Sequence, residues 1–202
     1  MNVDAVLAAR RSCRAYSATP IEPDVLAAVL DAARRAPSAG NTWALDLVVL
    51  EGAAQTSAYW EVTLPVGPRR DRFPWPALLV APVLVLPYVR PDAYVERYAE
   101  PDKAGTGLGD STDRWPVPYW WVDAGAAAMA MLTAATAHGL GSLLFGQFDH
   151  ADALRSRFGV PADRAAIGTL AMGFPAAGEQ RRSVSARRRR PDLEHIVHRG
   201  GW

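Results

Sequence analysis

The sequence predicts a single domain of mixed helix and sheet, of the α/β or α+β class, with a mostly buried sheet. A length of 202 residues suits one domain and is enough to bury a core. Half of the residues are hydrophobic and 21% are charged, which excludes a largely disordered chain. Helical patterns alternate with short apolar runs bounded by Gly or Pro. No repeat or linker divides the chain, so we treat 1–202 as one domain.

Four segments have the apolar periodicity, caps and stops of helices. Asp4 is the expected cap of the first, and Gly139 is the expected stop of the third. The third is rich in alanine, so another helix could approach it closely, at the centre of the domain or at a dimer interface. The predicted helices span about residues 4–10, 23–36, 123–138 and 151–158.

The predicted strands lie between these helices, at residues 46–51, 78–88, 142–148 and 165–174. The segment 97–121 is polar and glycine-bearing and then aromatic, which predicts a long excursion over the surface. Loops of this length are often lids or binding loops.

Several classes of protein are excluded or disfavoured. Cys13 is the single cysteine, so neither an internal disulfide nor a thiolate metal cage is possible, and we expect a reducing, cytoplasmic environment. His195 and His198 lack an evident third ligand, so no metal is predicted. The segment 124–148 is long enough to span a membrane, but it is rich in Ala, Gly and Thr and is split by glycines, so no membrane contact is expected.

The net charge of +1 conceals an asymmetry. Six arginines lie between Arg181 and Arg190, and three more are Arg10, Arg11 and Arg14; without these nine the net charge would be −8. The two basic ends either meet in an anion site or remain a solvated arm and tail. A nucleic-acid arm would need interleaved aromatic residues or a recognisable module, and neither is nearby. We therefore expect no nucleic-acid partner.

Two short segments could bind a cofactor. In the run 10–14, three guanidiniums and the hydroxyl of Ser12 can grip a phosphate, although a solvated basic turn is the alternative. In the run 36–42, small residues and the amide of Asn41 suit a heterocyclic amide edge, such as the pyrimidine side of a flavin. An ordinary loop between helix and strand is the alternative there. Nothing resembles a serine or cysteine nucleophile with a placed base.

Taken in order, five motifs resemble the nitroreductase family of FMN-dependent oxidoreductases. Each motif is weak alone, and the order and spacing make the resemblance specific. The motifs are arginine–x–serine–x–basic at 10–14, proline–serine–x–x–asparagine at 37–41, a small-residue helix leading through 139–141 into a strand that ends at 144–148, Met-Gly-Phe-Pro at 172–175, and the basic C-terminal segment.

The resemblance implies an α+β nitroreductase-like fold with a central, mostly antiparallel sheet flanked by helices. It also implies an interlocked homodimer with FMN in the interface. The C-terminal segment, about 181–202, would be a swapped arm that docks on the partner subunit.

The resemblance also implies a set of cofactor-binding residues. The basic residues would surround the phosphate, so that the two basic ends converge on one dianion, and Asn41 would lie at the ring edge. Residues 144–146 would come from the other subunit, pack on the isoalloxazine and offer a backbone N–H to N5. The full set is Arg10, Arg11, Ser12, Arg14, Pro37, Ser38, Asn41, Leu144, Phe145, Gly146, Arg187 and Arg189.

No catalytic side chain is assigned, because in this family the chemistry occurs at flavin N5. NADH or NADPH would deliver hydride there, and a nitroaromatic, quinone or related small-molecule acceptor would then enter the same pocket, giving ping-pong kinetics. Trp43, Trp115 and Trp120 are candidate pocket residues, and core packing is the competing role for the last two. The family loop continues after Asn41 and one further residue with glutamine, whereas this chain has Trp43, which removes one flavin-edge contact.

Two other functions stay open at this point. A flavin-dependent biosynthetic oxidase or dehydrogenase could use the same fold to desaturate a specific small molecule. A non-catalytic flavin-binding protein is the second alternative, if Trp43 covers the face on which nicotinamide would stack.

Overall fold

The computed structural model describes residues 2–178 and 184–202, and within them it confirms the mixed α+β class. The helices are α1 Val3–Ala9, α2 Pro23–Arg34, α3 Gly52–Thr63, α4 Pro68–Asp71, α5 Asp92–Tyr98, α6 Tyr119–Ala137 and α7 Ala151–Arg157. The strands are β1 Leu45–Glu51, β2 Val83–Val89, β3 Gly141–Phe145, β4 Ala165–Ala166 and β5 Thr169–Gly173.

The sheet is open and its strands are ordered β1-β2-β5-β3, with β4 paired to the end of β2. All of these pairings are antiparallel, as expected. The central strands β2 and β5 are buried along their whole length. Helices α3 and α7 pack on one face of the sheet and α2 and α6 on the other, which gives three layers with a core on each side.

Two predicted strands are shorter in the structure. The segment 78–88 becomes a strand only at Val83, because Pro76 begins a 3-10 turn and Pro82 lacks the N–H that a strand donates. The segment 165–174 divides into β4 and β5 near Gly168, whose φ of 140° departs from strand geometry and is rarely adopted by a residue with a side chain.

The predicted helix cap at Asp4 is wrong. The side chain of Asn2 caps α1 instead, since its Oδ1 accepts a hydrogen bond from the N–H of Ala5 at 2.8 Å. Asp4 lies in the first turn, where its charge is favourable with the helix dipole.

Helix α6 occupies the middle of its layer and packs against α2 along its length. It begins at Tyr119, four residues before the predicted start, directly after Pro118, and it ends just before Gly139, whose φ is 75°. Four of the seven buried residues of α6 are alanines, and these small side chains let α2 and α6 approach closely. No described helix combines the length and apolar character needed to cross a membrane.

Candidate functional site

The N-terminal arginine motif packs against the first residues of β3. The N–H of Cys13 donates to the carbonyl oxygen of Ser142 at 2.9 Å, and Ser12 pairs with Ser142 in a parallel bridge. Gly141 is required at this contact, because a Cβ there would lie 2.7 Å from Cys13 Sγ. The chain that follows α1 is therefore fixed on the edge of the sheet, with Arg10, Arg11 and Arg14 around it.

A groove of about 730 Å³ opens beside this motif and is strongly basic. Residues from both ends of the chain line it, together with the end of α6 and the start of β3. No carboxylate lines it, and none of its guanidiniums forms an ion pair within residues 2–178 and 184–202. Five positive charges without a counter-charge among the described residues favour a bound anion. The five arginines are Arg10, Arg11, Arg14, Arg188 and Arg190.

The two C-terminal arginines that line the groove are the sequence neighbours of the two expected to bind the phosphate. Arg187 and Arg189 do not line it, whereas Arg188 and Arg190 do. The guanidinium of Arg189 instead lies 3.7 Å from the carboxylate of Asp192. Arg181 and Arg182, where the expected arm begins, fall outside the described residues.

Within the groove lining, the guanidinium of Arg14 lies over the ring of Trp75, 5.5 Å from its centroid. Such a contact orients a cation without neutralising its charge. Burial raises the pKa of the Cys13 thiol, so this cysteine is protonated at neutral pH and is a poor nucleophile. The described chain also contains no group of His, Cys, Asp and Glu that could hold a metal.

The turn after β3 lies at the same edge of the sheet as the arginine motif. Leu144 is exposed, and the ring of Phe145 stacks on Trp60 with centroids 6.0 Å apart. The backbone N–H groups of Gly146 and the next two residues donate none of the turn and loop hydrogen bonds of the described chain. At about 3.3 Å per residue, β3 separates this turn from the motif by roughly 16 Å.

Side chains of α5 and α6 support the loop that contains Pro37, Ser38 and Asn41 through hydrogen bonds. Oδ2 of Asp123 accepts hydrogen bonds from the N–H of Ala39 and from the hydroxyl of Tyr94, both at 2.8 Å. The guanidinium of Arg97 donates to the carbonyl of Gly40 at 2.8 Å.

The tip of this loop adopts a left-handed conformation that leaves Asn41 exposed. Gly40 has a φ of 64° and Asn41 a φ of 57°. A Cβ on Gly40 would lie 2.7 Å from the ring of Tyr98, so this position needs glycine. Sequence reasoning missed Asp123 and Arg97 as supports of this loop, because they are distant from it along the chain.

The structure does not bring this loop and the arginine motif together within one chain. Asp123 contacts the loop near the start of α6, whereas Thr136, near its end, lines the basic groove. Thirteen residues of helix at about 1.5 Å each separate the two by roughly 20 Å.

Two of the three candidate pocket tryptophans are buried. Trp115 and Trp120 pack edge to face against Tyr94, and the indole of Trp115 donates to the carbonyl of Leu108 at 3.0 Å. Trp115 also borders an apolar cavity of about 500 Å³ beneath the excursion. Trp43, by contrast, is 67% exposed and free to contact a ligand or a partner.

Comparison with known proteins shows the family to which the chain belongs. The sequence profile of the Nitroreductase family matches residues 7–174. The chain therefore belongs to the nitroreductase family and, with it, to a class of oxidoreductases.

Solved structures are similar over nearly the whole chain at low sequence identity. A nitroreductase family protein from Streptococcus pneumoniae TIGR4 matches with a TM-score of 0.74 and 15% identity, covering 98% of this chain and 100% of its own. One from Clostridium difficile 630 matches with a TM-score of 0.71 and 22% identity, covering 100% of both chains. An FMN-dependent nitroreductase from Clostridium difficile R20291 matches with a TM-score of 0.66 and 17% identity, covering 98% of both.

Proposed function

We propose that this chain is an FMN-dependent oxidoreductase that uses NADH or NADPH to reduce nitroaromatic, quinone or related small-molecule acceptors. The observation that carries the proposal is the basic groove, which holds five guanidiniums without a carboxylate partner among the described residues. The β3 turn, whose backbone N–H groups donate no turn or loop hydrogen bond there, lies farther along the same edge of the sheet. A phosphate attached to a flat, polar-edged ring system matches both halves of this donor set. When bound, FMN would supply the hydride chemistry.

The residues of the groove then have distinct tasks. Arg10, Arg11 and the hydroxyl of Ser12 would bind the phosphate. Arg188 and Arg190 would close over it, in place of the neighbouring Arg187 and Arg189. Permanently charged, forked donors hold a phosphate more strongly and with more directional contacts than neutral groups do.

Arg14 and the β3 turn would contact the ring system. The positive charge of Arg14 would stabilise negative charge on the pyrimidine side, where a cation lowers the free energy of the electron-rich form. Leu144 and Phe145 would pack against the ring, and Gly146 would donate its N–H to N5.

We further propose that the site is shared between two copies of the chain. Because about 20 Å of α6 separates Asn41 from the arginine motif, the Asn41 that completes a site would come from the partner subunit. The β3 turn, in contrast, lies on the same sheet edge as the motif, so we assign both to one chain. This allocation reverses the one that the family resemblance suggested for residues 144–146.

A homodimer is supported by the apolar surface of α6. Trp121, Val122 and Met129 are exposed along this helix although they are apolar. Exposed apolar surface of this extent on one helix favours association with a second copy. The exposed Ile196 and Trp202 near the C-terminus are suited to docking on the partner.

The purified full-length protein provides the direct test of the function. We expect a yellow protein with a flavin spectrum that is bleached by NADH or NADPH and recovers when a quinone or nitroaromatic is added, over many cycles. Bleaching only by a specific small molecule would favour the biosynthetic oxidase. Bound flavin that neither reductant bleaches would favour the non-catalytic alternative, and a protein that cannot take up FMN would refute the proposal.

Replacing Met129 by glutamate should convert the dimer into a monomer. The two-fold axis would bring two unpaired carboxylates into the interface, so we expect dimerisation to weaken by at least about 100-fold. Light scattering after size-exclusion chromatography measures the change. Val66→Glu is the matched control, because Val66 is also exposed but lies between α3 and α4. A Met129→Glu protein that remains dimeric would show that α6 does not form the interface.

A further inference from the structure

The turn from Phe145 to Phe148 is held in one conformation by close contacts. Phe148 has a φ of 44°, which is rare for a residue with a side chain, and it is 84% exposed. Its ring lies against Gly146, where a Cβ would come within 2.6 Å of it. On the other side, the carbonyl oxygen of Phe145 lies 2.7 Å from the position of a Cβ on Gly168. Such strain persists only where surrounding contacts enforce it.

The enforcing contact from the interior is the side chain of Gln147. It is only 4% exposed, and its Nε2 donates to the carbonyl of Gly168 at 3.0 Å and to the hydroxyl of Thr169 at 3.2 Å. Thr169 in turn donates to the hydroxyl of Tyr59 at 3.0 Å. The amide therefore ties the turn to the start of β5 through a buried polar network.

Folding stability alone gives a weak reason for this glutamine. Its Oε1 has no hydrogen-bond partner of standard geometry among the described residues. A buried acceptor left in this way costs about 1–3 kcal/mol. Burial also raises the pKa of the neighbouring Tyr88 phenol, an effect that the Gln147 amide partly offsets. An apolar side chain would avoid the unpaired Oε1 but would lose both hydrogen bonds of Nε2, so the value of Gln147 lies in those two bonds and in the geometry they impose on the turn.

We propose that Gln147 is a positioning residue that fixes the backbone N–H of Gly146 toward N5 of the flavin. The inference rests on the proposed function, and it assigns a task to a side chain that faces away from the groove. Without the buried amide, the turn loses its link to Gly168 and Thr169, and the left-handed Phe148 can relax. The N–H of Gly146 would then no longer be held toward the ring.

The consequence can be measured without turnover. A hydrogen-bond donor at N5 stabilises oxidised flavin, whose N5 is an acceptor, more than reduced flavin, whose N5 carries a proton. Misplacing the donor should therefore weaken the binding of oxidised FMN and raise the reduction potential of the bound cofactor. A change that affects only folding would not shift the potential.

The test compares Gln147→Met, which keeps the length of the side chain, with the wild-type protein. We expect the dissociation constant for FMN to rise by about 10-fold, the loss of one well-formed hydrogen bond, and the midpoint potential to rise. Thr169→Val, which removes one of the two acceptors, should change both quantities in the same direction by less. It also keeps the proposal testable if Gln147→Met does not fold.

The matched control is Thr56→Val, which removes a buried hydroxyl that donates to Gly52 within α3. Its FMN affinity and potential should equal those of the wild type. If wild-type protein binds FMN and both Gln147→Met and Thr169→Val match it in affinity and potential, the positioning role is refuted and the proposed function stands. If wild-type protein does not bind FMN, the proposed function itself fails.

Discussion

Replacing Arg10 and Arg14 together by alanine is expected to lower the affinity for FMN by about 10²- to 10³-fold. Both guanidiniums line the groove without a carboxylate partner in the described chain, so their charge is available to the cofactor. A hydrogen bond to a charged group contributes about 1.5–3 kcal/mol, and neighbouring contributions are not fully additive. Quenching of FMN fluorescence, titrated at one fixed salt concentration, measures the change.

The same variant should fold as well as the wild-type protein, because removing two crowded positive charges breaks no ion pair within the described residues. Arg35→Ala combined with Arg157→Ala is the matched control. It removes the same charge from two exposed positions, Arg35 directly after α2 and Arg157 on α7. Since the pair of Arg35 with Asp31 is a surface ion pair of little energy, FMN affinity should stay within about 3-fold of the wild type. If the two double variants lose affinity equally, the effect is one of net charge and the groove is not the phosphate site.

Much of the fold could be predicted because the decisive signals are local. Helix α2 begins with Pro23 and carries an apolar stripe that ends before Pro37, and the structure buries that stripe against α6. The edge strand β1 was also found from its apolar run. Helix α3 was missed, since its first residues are small and polar and its buried pair, Tyr59 and Trp60, lies near its end with no clear periodicity.

For the candidate site, the sequence could predict the residue types and the ligand chemistry they suit, but not how the residues are arranged in space. The residue types at 10–14 suit an anion site, because three guanidiniums within five residues can bind a phosphate, although the same pattern also fits a solvated basic turn. Their distance from Asn41 depends on how α6 crosses the domain, and no local pattern contains that information. The hydrogen bond from Ala39 to Asp123 spans 84 positions, so Asp123 read in sequence only as the beginning of a helix. Gln147 likewise gave no signal, because its role depends on residues of β5.

Replacing Asp123 by alanine should destabilise the protein by about 2–4 kcal/mol. The change leaves the buried hydroxyl of Tyr94 and the N–H of Ala39 without their shared acceptor. For a chain of this length that corresponds to a fall in melting temperature of roughly 5–15 °C. Scanning calorimetry measures it. Asp123→Asn should lose less, because its amide oxygen can still accept, and Asp113→Ala, on the exposed excursion, should lose almost nothing.

The loss of Asp123 should also weaken FMN binding, because it loosens the loop that carries Asn41. This effect allows a test of whether the loop and the arginines that form one site come from two chains or from one. In a shared site, a mixed dimer of one Asp123→Ala chain and one Arg10→Ala/Arg14→Ala chain has one intact site, formed by the arginines of the first and the loop of the second. Random mixing of the two variants should then restore tight binding at about a quarter of all sites, whereas each variant alone has none. If mixing restores no tight binding although mixed dimers form, the loop and the arginines serve the same chain, and the allocation proposed here is wrong.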